Sequence, residues 1–156
     1  METIRESIEV NVPVSTAYNQ WTQFEEFPQF MEGVESVKQT DDTHLYWVAE
    51  IGGKRREWQA EIVEQKSDRK IAWRALDGNG PNGVVEFEPF GEDTTLVTVE
   101  IAYEPEGLTE QLGAKIGIDS RQVRGDLERF TELIESRGVE SGAWRGEVHA
   151  GERQER

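Results

Sequence analysis

Few residues of this chain are suited to chemistry, and their spacing excludes most of the reactions a protein of this size performs. His44 and His149 are the only histidines among 156 residues, and neither stands at ligand spacing from the other or from a completing set of carboxylates. No metal and no other cofactor is expected. Cysteine is absent, which excludes thiolate nucleophiles, Cys-type zinc sites and disulfides. No Gly-x-Ser-x-Gly occurs, and a Ser-His-Asp triad would have to draw its histidine from the start of a strand or from a tail. Gly78-Asn79-Gly80-Pro81-Asn82-Gly83 has the glycines of a phosphate loop but no Gly-Lys-Ser/Thr ending, Pro81 removes an amide donor, and the segment joins strand to strand. It reads as a β-loop at a cavity mouth. Acid–base work on a carbonyl compound remains open, needing a donor to polarise the carbonyl and a base to take an α-proton. Tyr103 and Arg56 are the polar side chains that strand parity turns inward, although Tyr103 also fits a half-buried strand-end aromatic with a wet hydroxyl.

The elements that must position these groups follow from hydrophobic period. Residues 4–12 alternate, with Ile8, Val10 and Val12 on one side, as in a half-buried strand ended by Pro13. Ser15 offers a cap for a short helix bearing Val14, Ala17, Tyr18 and Trp21, and Thr22 with Glu25 has capping-box spacing for a second that starts at Gln23 and ends before Pro28. Six further strands are expected over 34–40, 44–51, 54–65, 70–75, 83–89 and 94–103, separated by turn-forming clusters, of which Gly52-Gly53 is the sharpest. Their apolar parity gathers Leu45, Trp47, Ala49, Trp58, Ala60, Ile62, Ile71, Trp73, Val85, Phe87, Val97, Val99 and Ile101 on one face. Glu57, Gln59, Glu61, Arg74, Glu86, Glu88, Thr98 and Glu100 should face water.

Beyond Gly107 the period becomes helical. Leu108, Leu112 and Ile116 stand four apart, Gly117-Ile118-Asp119-Ser120 breaks the run, and a main helix over 120–137 carries Val123, Leu127, Phe130 and Ile134 before stopping at Gly138. Residues 139–156 are polar, without sustained period, and read as a flexible tail on a domain of residues 1–138. The fold class is α+β: a helix-grip arrangement in which a curved seven-stranded antiparallel sheet wraps a long C-terminal helix, with two short helices between strands 1 and 2. One helix cannot fill such a sheet along its whole length, so a cavity is expected at the unfilled end.

Two aromatic groups border that cavity. Segment 21–31 places Trp21, Phe24, Phe27 and Phe30 every third residue around Pro28, as a lid that gates a ligand or as rings that close the core. Trp47, Trp58 and Trp73, on three successive strands, either stack on a flat ligand or pack the interior.

The formal net charge of −15, from 32 acidic and 17 basic residues, repels phosphate backbones and anionic membranes. Nucleic-acid binding is not expected. The start of the chain lacks a basic and then apolar leader pattern, and no stretch of eighteen apolar residues occurs, so a cytoplasmic protein without membrane insertion is expected. Twelve of the basic residues are Arg and five are Lys; with the acid excess this suits either a solvated surface or salt adaptation, the latter requiring stability to rise toward molar salt. An exposed sheet edge allows a weak dimer, which the charge opposes at low salt, so a monomer or weak dimer is expected.

The Phe-Pro-x-Phe-Met ending of segment 21–31, Glu57-Trp58, Ile71-Ala72-Trp73-Arg74, Gly83-Val84-Val85-Glu86-Phe87 and Gly142-Ala143-Trp144-Arg145-Gly146 occur in an order that resembles a known family. It is the polyketide cyclase/dehydrase and lipid-transfer group of the START-like (SRPBCC, Bet v 1-like) superfamily, especially its coenzyme-Q-binding-protein-like bacterial members. The resemblance spans nearly the whole chain. It implies a cavity for a small hydrophobic molecule, a lipid, isoprenoid quinone or polyketide-like aromatic, with Phe27, Phe30, Trp47, Trp58, Trp73, Phe87, Tyr103, Leu112 and Ile116 as its ligand-binding residues. Members sharing this fold include carriers and ring cyclases, so a metal-independent cyclase in the same cavity and an interaction protein with a vestigial cavity stay open. A cavity of roughly 300 Å³ or more with apolar walls favours a carrier, and two or more convergent polar groups with shifted pKa favour an enzyme.

Overall fold

A computed structural model describes residues 2–51, 54–76, 82–103, 120–150 and 152–154. The Gly52-Gly53 turn, most of the 77–82 loop, the helical run expected around Leu112 and Ile116, and the break expected at 117–120 lie outside the described residues, apart from Ser120 itself.

Strand β1 (Glu2–Val10) is followed by helix α1 (Val14–Trp21) and a 3-10 helix (Phe24–Gln29), then β2 (Val34–Asp41), β3 (His44–Ile51), β4 (Lys54–Lys66), β5 (Lys70–Ala75), β6 (Asn82–Gly91) and β7 (Thr94–Tyr103). Helix α2 (Ser120–Arg137) and two short strands, β8 (Glu147–His149) and β9 (Glu152–Gln154), complete it. The sheet runs β1-β7-β6-β5-β4-β3-β2 with antiparallel pairs throughout, a meander closed by β1 docking on β7. That is the expected helix-grip path of seven strands, and β8 and β9 extend it beside β4.

The period-two expectation holds on the inner face. Leu45, Trp47, Ala49, Trp58, Ala60, Ile62, Ile71, Trp73, Val85, Phe87, Val97 and Val99 are buried in one continuous core. Thr98, expected in water, is buried instead, because cross-strand Ser7 lies opposite it and the two hydroxyls bond at 2.9 Å. Helix α2 lays Val123, Leu127, Phe130 and Ile134 against the sheet and stops where Gly138, at φ 78°, donates its N–H to the Ile134 carbonyl.

The two short helices depart from their expected caps. Helix α1 starts at Val14 after Pro13, without a side-chain cap from Ser15. The second is a 3-10 helix that contains Pro28, and no capping box forms: the Thr22 hydroxyl donates to the Asn19 carbonyl, while Glu25 accepts the N–H of Gln39 on β2. Tertiary partners have taken both groups.

A larger correction concerns 139–150, expected as part of a loose tail. Val148 is fully buried, and β8 pairs with β4 at Glu64 and Gln65, past the end of the β3–β4 pairing. The physical reason lies on α1, whose Asn19 and Gln20, with the following Thr22, are buried polar side chains needing partners. The C-terminal segment supplies them. Gln20 accepts from the Ser141 N–H at 2.9 Å, Thr22 from the Trp144 N–H at 3.1 Å and Asn19 from Arg145 at 2.7 Å. Asn19 also donates to Glu140, and Arg145 pairs with Asp68 at 2.9 Å across the face of Tyr18.

Candidate functional site

Register builds the site. Trp47 on β3 lies directly opposite Trp58 on β4, so their indoles stack at 5.6 Å and 6°. Trp73 on β5 stacks on Trp47 as well, at 5.8 Å and 26°. Its six-membered ring occupies the space over Gly83 on β6, where a Cβ would stand 2.3 Å from Trp73 Cζ2. Three tryptophans therefore form a ladder across the inner sheet.

The ladder borders a cavity of about 100 Å³ that is also walled by Trp21, Met31, Val34, Ala49, Val99, Ile101, Val123 and Leu127, with Glu32, Gly33, Glu50, Gln122 and Asp126 as its less apolar margin. This is smaller than the roughly 300 Å³ expected of a carrier's pocket, yet ample for more than one water. Trp47, Trp58 and Trp73 line it. Phe27, Phe30 and Phe87 are not among its wall residues; they are at most 3% exposed and sit in the core. The indole of Trp21 is the hub of that packing, with Phe27, Phe30 and Phe130 rings centred 5.3, 5.3 and 5.1 Å away. The side chain of Tyr103, and Leu112 and Ile116, lie outside the described residues.

Period and parity pointed past the polar margin. Gln122 donates to the Glu32 carbonyl at 3.0 Å, and Arg129 Nε to the Phe30 carbonyl at 2.9 Å. Asp126 Oδ1 accepts the Glu32 N–H at 3.0 Å and Arg129 Nη2 at 2.5 Å. One face of α2 thus holds the 30–33 turn over the cavity. Gly33 makes that turn at φ 93°, with the Glu50 carbonyl only 3.0 Å from where a Cβ would stand, so no side chain fits. Burial pushes the Asp126 carboxyl up to about 6 from an ordinary 3.8, against the lowering effect of the Glu32 N–H and of Arg129. The legible signal was a carboxylate at helical spacing from Val123 and Phe130, on the apolar side of α2.

Trp21, Trp47 and Trp58 share a further property: each indole Nε1 is sealed from water and has no hydrogen-bond partner. An unmet buried donor costs on the order of 1–3 kcal/mol, so three beside one cavity are a concentrated deficit. Arg56, expected inward if β4 carried no bulge there, keeps unbroken register with β3 opposite Ala49. Its Nε is buried without a partner, but Arg56 is not among the wall residues. His44 sits at the surface and pairs with Asp41 at 2.9 Å. Among the described residues, no helix is long and apolar enough to cross a membrane.

Known proteins are similar to this chain in sequence or in fold. A protein of Streptomyces lincolnensis, described as an uncharacterized 17.2 kDa protein, is 50% identical over 149 residues, covering 95% of this chain and 99% of its own length. A crystal structure from Deinococcus radiodurans superposes with a TM-score of 0.69 at 27% identity, over 88% of this chain and 100% of that one. An aromatase/cyclase from a Streptomyces species shares the fold at a TM-score of 0.67 and 13% identity, over 92% of this chain and 99% of that one. A START superfamily protein of Mycobacterium smegmatis does so at 0.64 and 16%, over 86% and 95%. The family model described as polyketide cyclase/dehydrase and lipid transport matches residues 10–132. With its helix-grip sheet, its long closing helix and an apolar cavity between them, the chain belongs to the polyketide cyclase/dehydrase and lipid transport family.

Proposed function

We propose that this protein binds a small hydrophobic molecule, drawn from lipids, isoprenoid quinones or polyketide-like aromatics, in the cavity between sheet and α2. The observation that carries this reading is the tryptophan ladder bordering an apolar cavity between sheet and α2. At about 100 Å³ the space takes one ring or a short chain segment, so a longer ligand extends beyond it. Native mass spectrometry of protein expressed in a lipid-containing host tests this. A co-purifying apolar molecule, lost in a variant that fills the cavity such as Ala49→Phe, is expected; wild-type protein without any bound molecule, and without uptake of added ones, refutes it.

Asp126 favours a second reading, a cyclase-type enzyme. A wall carboxyl poised near neutrality can accept an α-proton from a bound ketone. Ring closure also needs a donor for the developing oxyanion, and Asp126 is the one wall residue whose pKa is clearly shifted, so binding is the better supported function. Exchange of α-protons from a ketone, catalysed by the wild type and abolished in Asp126→Asn, would reverse that order.

A further inference from the structure

The polar margin of the cavity says something about the ligand itself, on the premise that the cavity is a binding site. Glu32 and Glu50 are exposed, and Glu50 alternates along β3 with the inward Ala49, so its carboxylate turns away from the wall. Gln122 gives an amide N–H to the Glu32 carbonyl. Asp126 differs from these: it is a half-buried wall residue whose two carboxylate oxygens are unequal. Oδ1 accepts both the Glu32 N–H at 3.0 Å and Arg129 Nη2 at 2.5 Å. Among the described residues nothing bonds to Oδ2, and that oxygen is not closed off from water as the indole nitrogens of Trp21, Trp47 and Trp58 are. One oxygen of this wall carboxylate is therefore saturated by the protein and the other is left open.

We propose that Asp126 Oδ2 is the polar anchor of the cavity and that the ligand meets it with a hydroxyl group. An alcohol, enol or phenol beside the enclosed apolar part supplies one. A carboxylate oxygen accepts and cannot donate, so a ketone or ester oxygen placed there is repelled while an O–H makes a charge-assisted bond. Arg129 already balances the Asp126 charge from the Oδ1 side, so a ligand ammonium would add a second cation beside the first. The same asymmetry fixes where a proton goes. With Oδ1 holding two donors, protonation puts the hydrogen on Oδ2, and the anchor changes from acceptor to donor. Burial brings that change to about pH 6, with Glu32 on the turn and Arg129 on α2 as the charged groups acting on Asp126. The cavity thus prefers a hydroxyl ligand above that pH and admits a carbonyl below it.

Four probes on one skeleton separate the possibilities: 1-phenylethanol, acetophenone, 1-phenylethylamine and the hydrocarbon cumene. Calorimetric titration of the full chain at pH 7.5 is expected to place the alcohol about tenfold tighter than the ketone, the worth of one charge-assisted hydrogen bond. At pH 5 the ketone should gain several-fold and the gap should close, while cumene stays unchanged. Asp126→Asn is the second arm. The Glu32 N–H and Arg129 hold its amide oxygen at the Oδ1 position, which puts the NH2 where Oδ2 stood. The ketone should therefore bind this variant at pH 7.5 as it binds wild type at pH 5, and without pH dependence; if the variant does not fold, the wild-type series decides alone. An alcohol with no advantage at pH 7.5, or a ketone affinity that is flat in pH for wild type or varies equally in both proteins, overturns the anchor assignment. Cumene binding in that case leaves hydrophobic binding standing. Tighter binding of the amine than of the alcohol overturns the hydroxyl class in favour of a cation. Failure of all four probes to bind overturns the inference together with the binding function beneath it.

Discussion

Replacing Asp126 by Asn isolates one buried charge and predicts a stability change whose sign depends on pH. The carboxyl sits in the cavity margin with its side chain 20% exposed, and its folded-state pKa of about 6 lies above the ordinary 3.8. Because the folded value is the higher one, the protonated form belongs to the folded state. The stabilisation is complete below pH 3.8 and is lost as pH rises through about 6. Linkage between those two values makes the loss from pH 5 to pH 7.5 about 1.4 kcal/mol, and solvent screening of a partly exposed group lowers this to roughly 1 kcal/mol. Asparagine keeps an acceptor for the Glu32 N–H but cannot titrate. Urea denaturation at pH 5, 6, 7 and 7.5 should show wild type losing roughly 1 kcal/mol more than Asp126→Asn across that interval, with the fifteen net negative charges affecting both proteins alike. Parallel curves for the two proteins would refute the assignment of a raised pKa to Asp126. A steeper loss in the variant would show that the Arg129 pair outweighs burial.

Other perturbations probe the packing around the site. Gly83→Ala forces its Cβ to within 2.3–2.9 Å of the Trp73 ring and should destabilise by about 1–3 kcal/mol while shifting the tryptophan near-ultraviolet circular dichroism; an unchanged spectrum and melting temperature would contradict the ladder geometry. Phe30→Ala removes a 1% exposed ring touching Trp21, Phe27 and Phe130, so a loss of about 3–5 kcal/mol in thermal denaturation is expected with ligand binding retained; the opposite pattern would make Phe30 a gate. Arg145→Ala strands Asp68, whose Oδ1 already lacks a partner, and withdraws a donor from Asn19; a decrease of about 1–2 kcal/mol by chemical denaturation is expected, and no change would mean that 139–150 is held without the Arg145 side chain.

The parts of the fold that the sequence made legible are those governed by local period. Strand 70–75 agrees with the structure at both ends, strands 44–51 and 94–103 where they start and helix 120–137 where it stops, because alternation, turn residues and a Gly stop all act within a few residues. What stayed hidden depends on distant partners. Thr22 and Glu25 have the spacing of a capping box, yet their oxygens serve Trp144 and Gln39, and no local rule registers such competition. The buried amides of Asn19 and Gln20 have no meaning on α1 alone. At the cavity the three strand tryptophans were readable from parity and Trp21 from its place in segment 21–31, whereas helical spacing put Asp126 on the apolar side of α2 without showing that it meets the 30–33 turn.

The clasp between α1 and the C-terminal segment also fixes when this protein can finish folding. Its hydrogen bonds join residues 121 to 126 positions apart, and β1 pairs with β7, where Ser7 meets Thr98 across 91 positions. On a ribosome adding about 5–20 residues per second, Gln20 and Thr22 emerge several seconds before Ser141 and Trp144 exist to satisfy them. During that interval the polar side chains of the first helix lack their partners. The clasp therefore closes late, with the slow kinetics expected where the decisive contacts are the most distant in sequence.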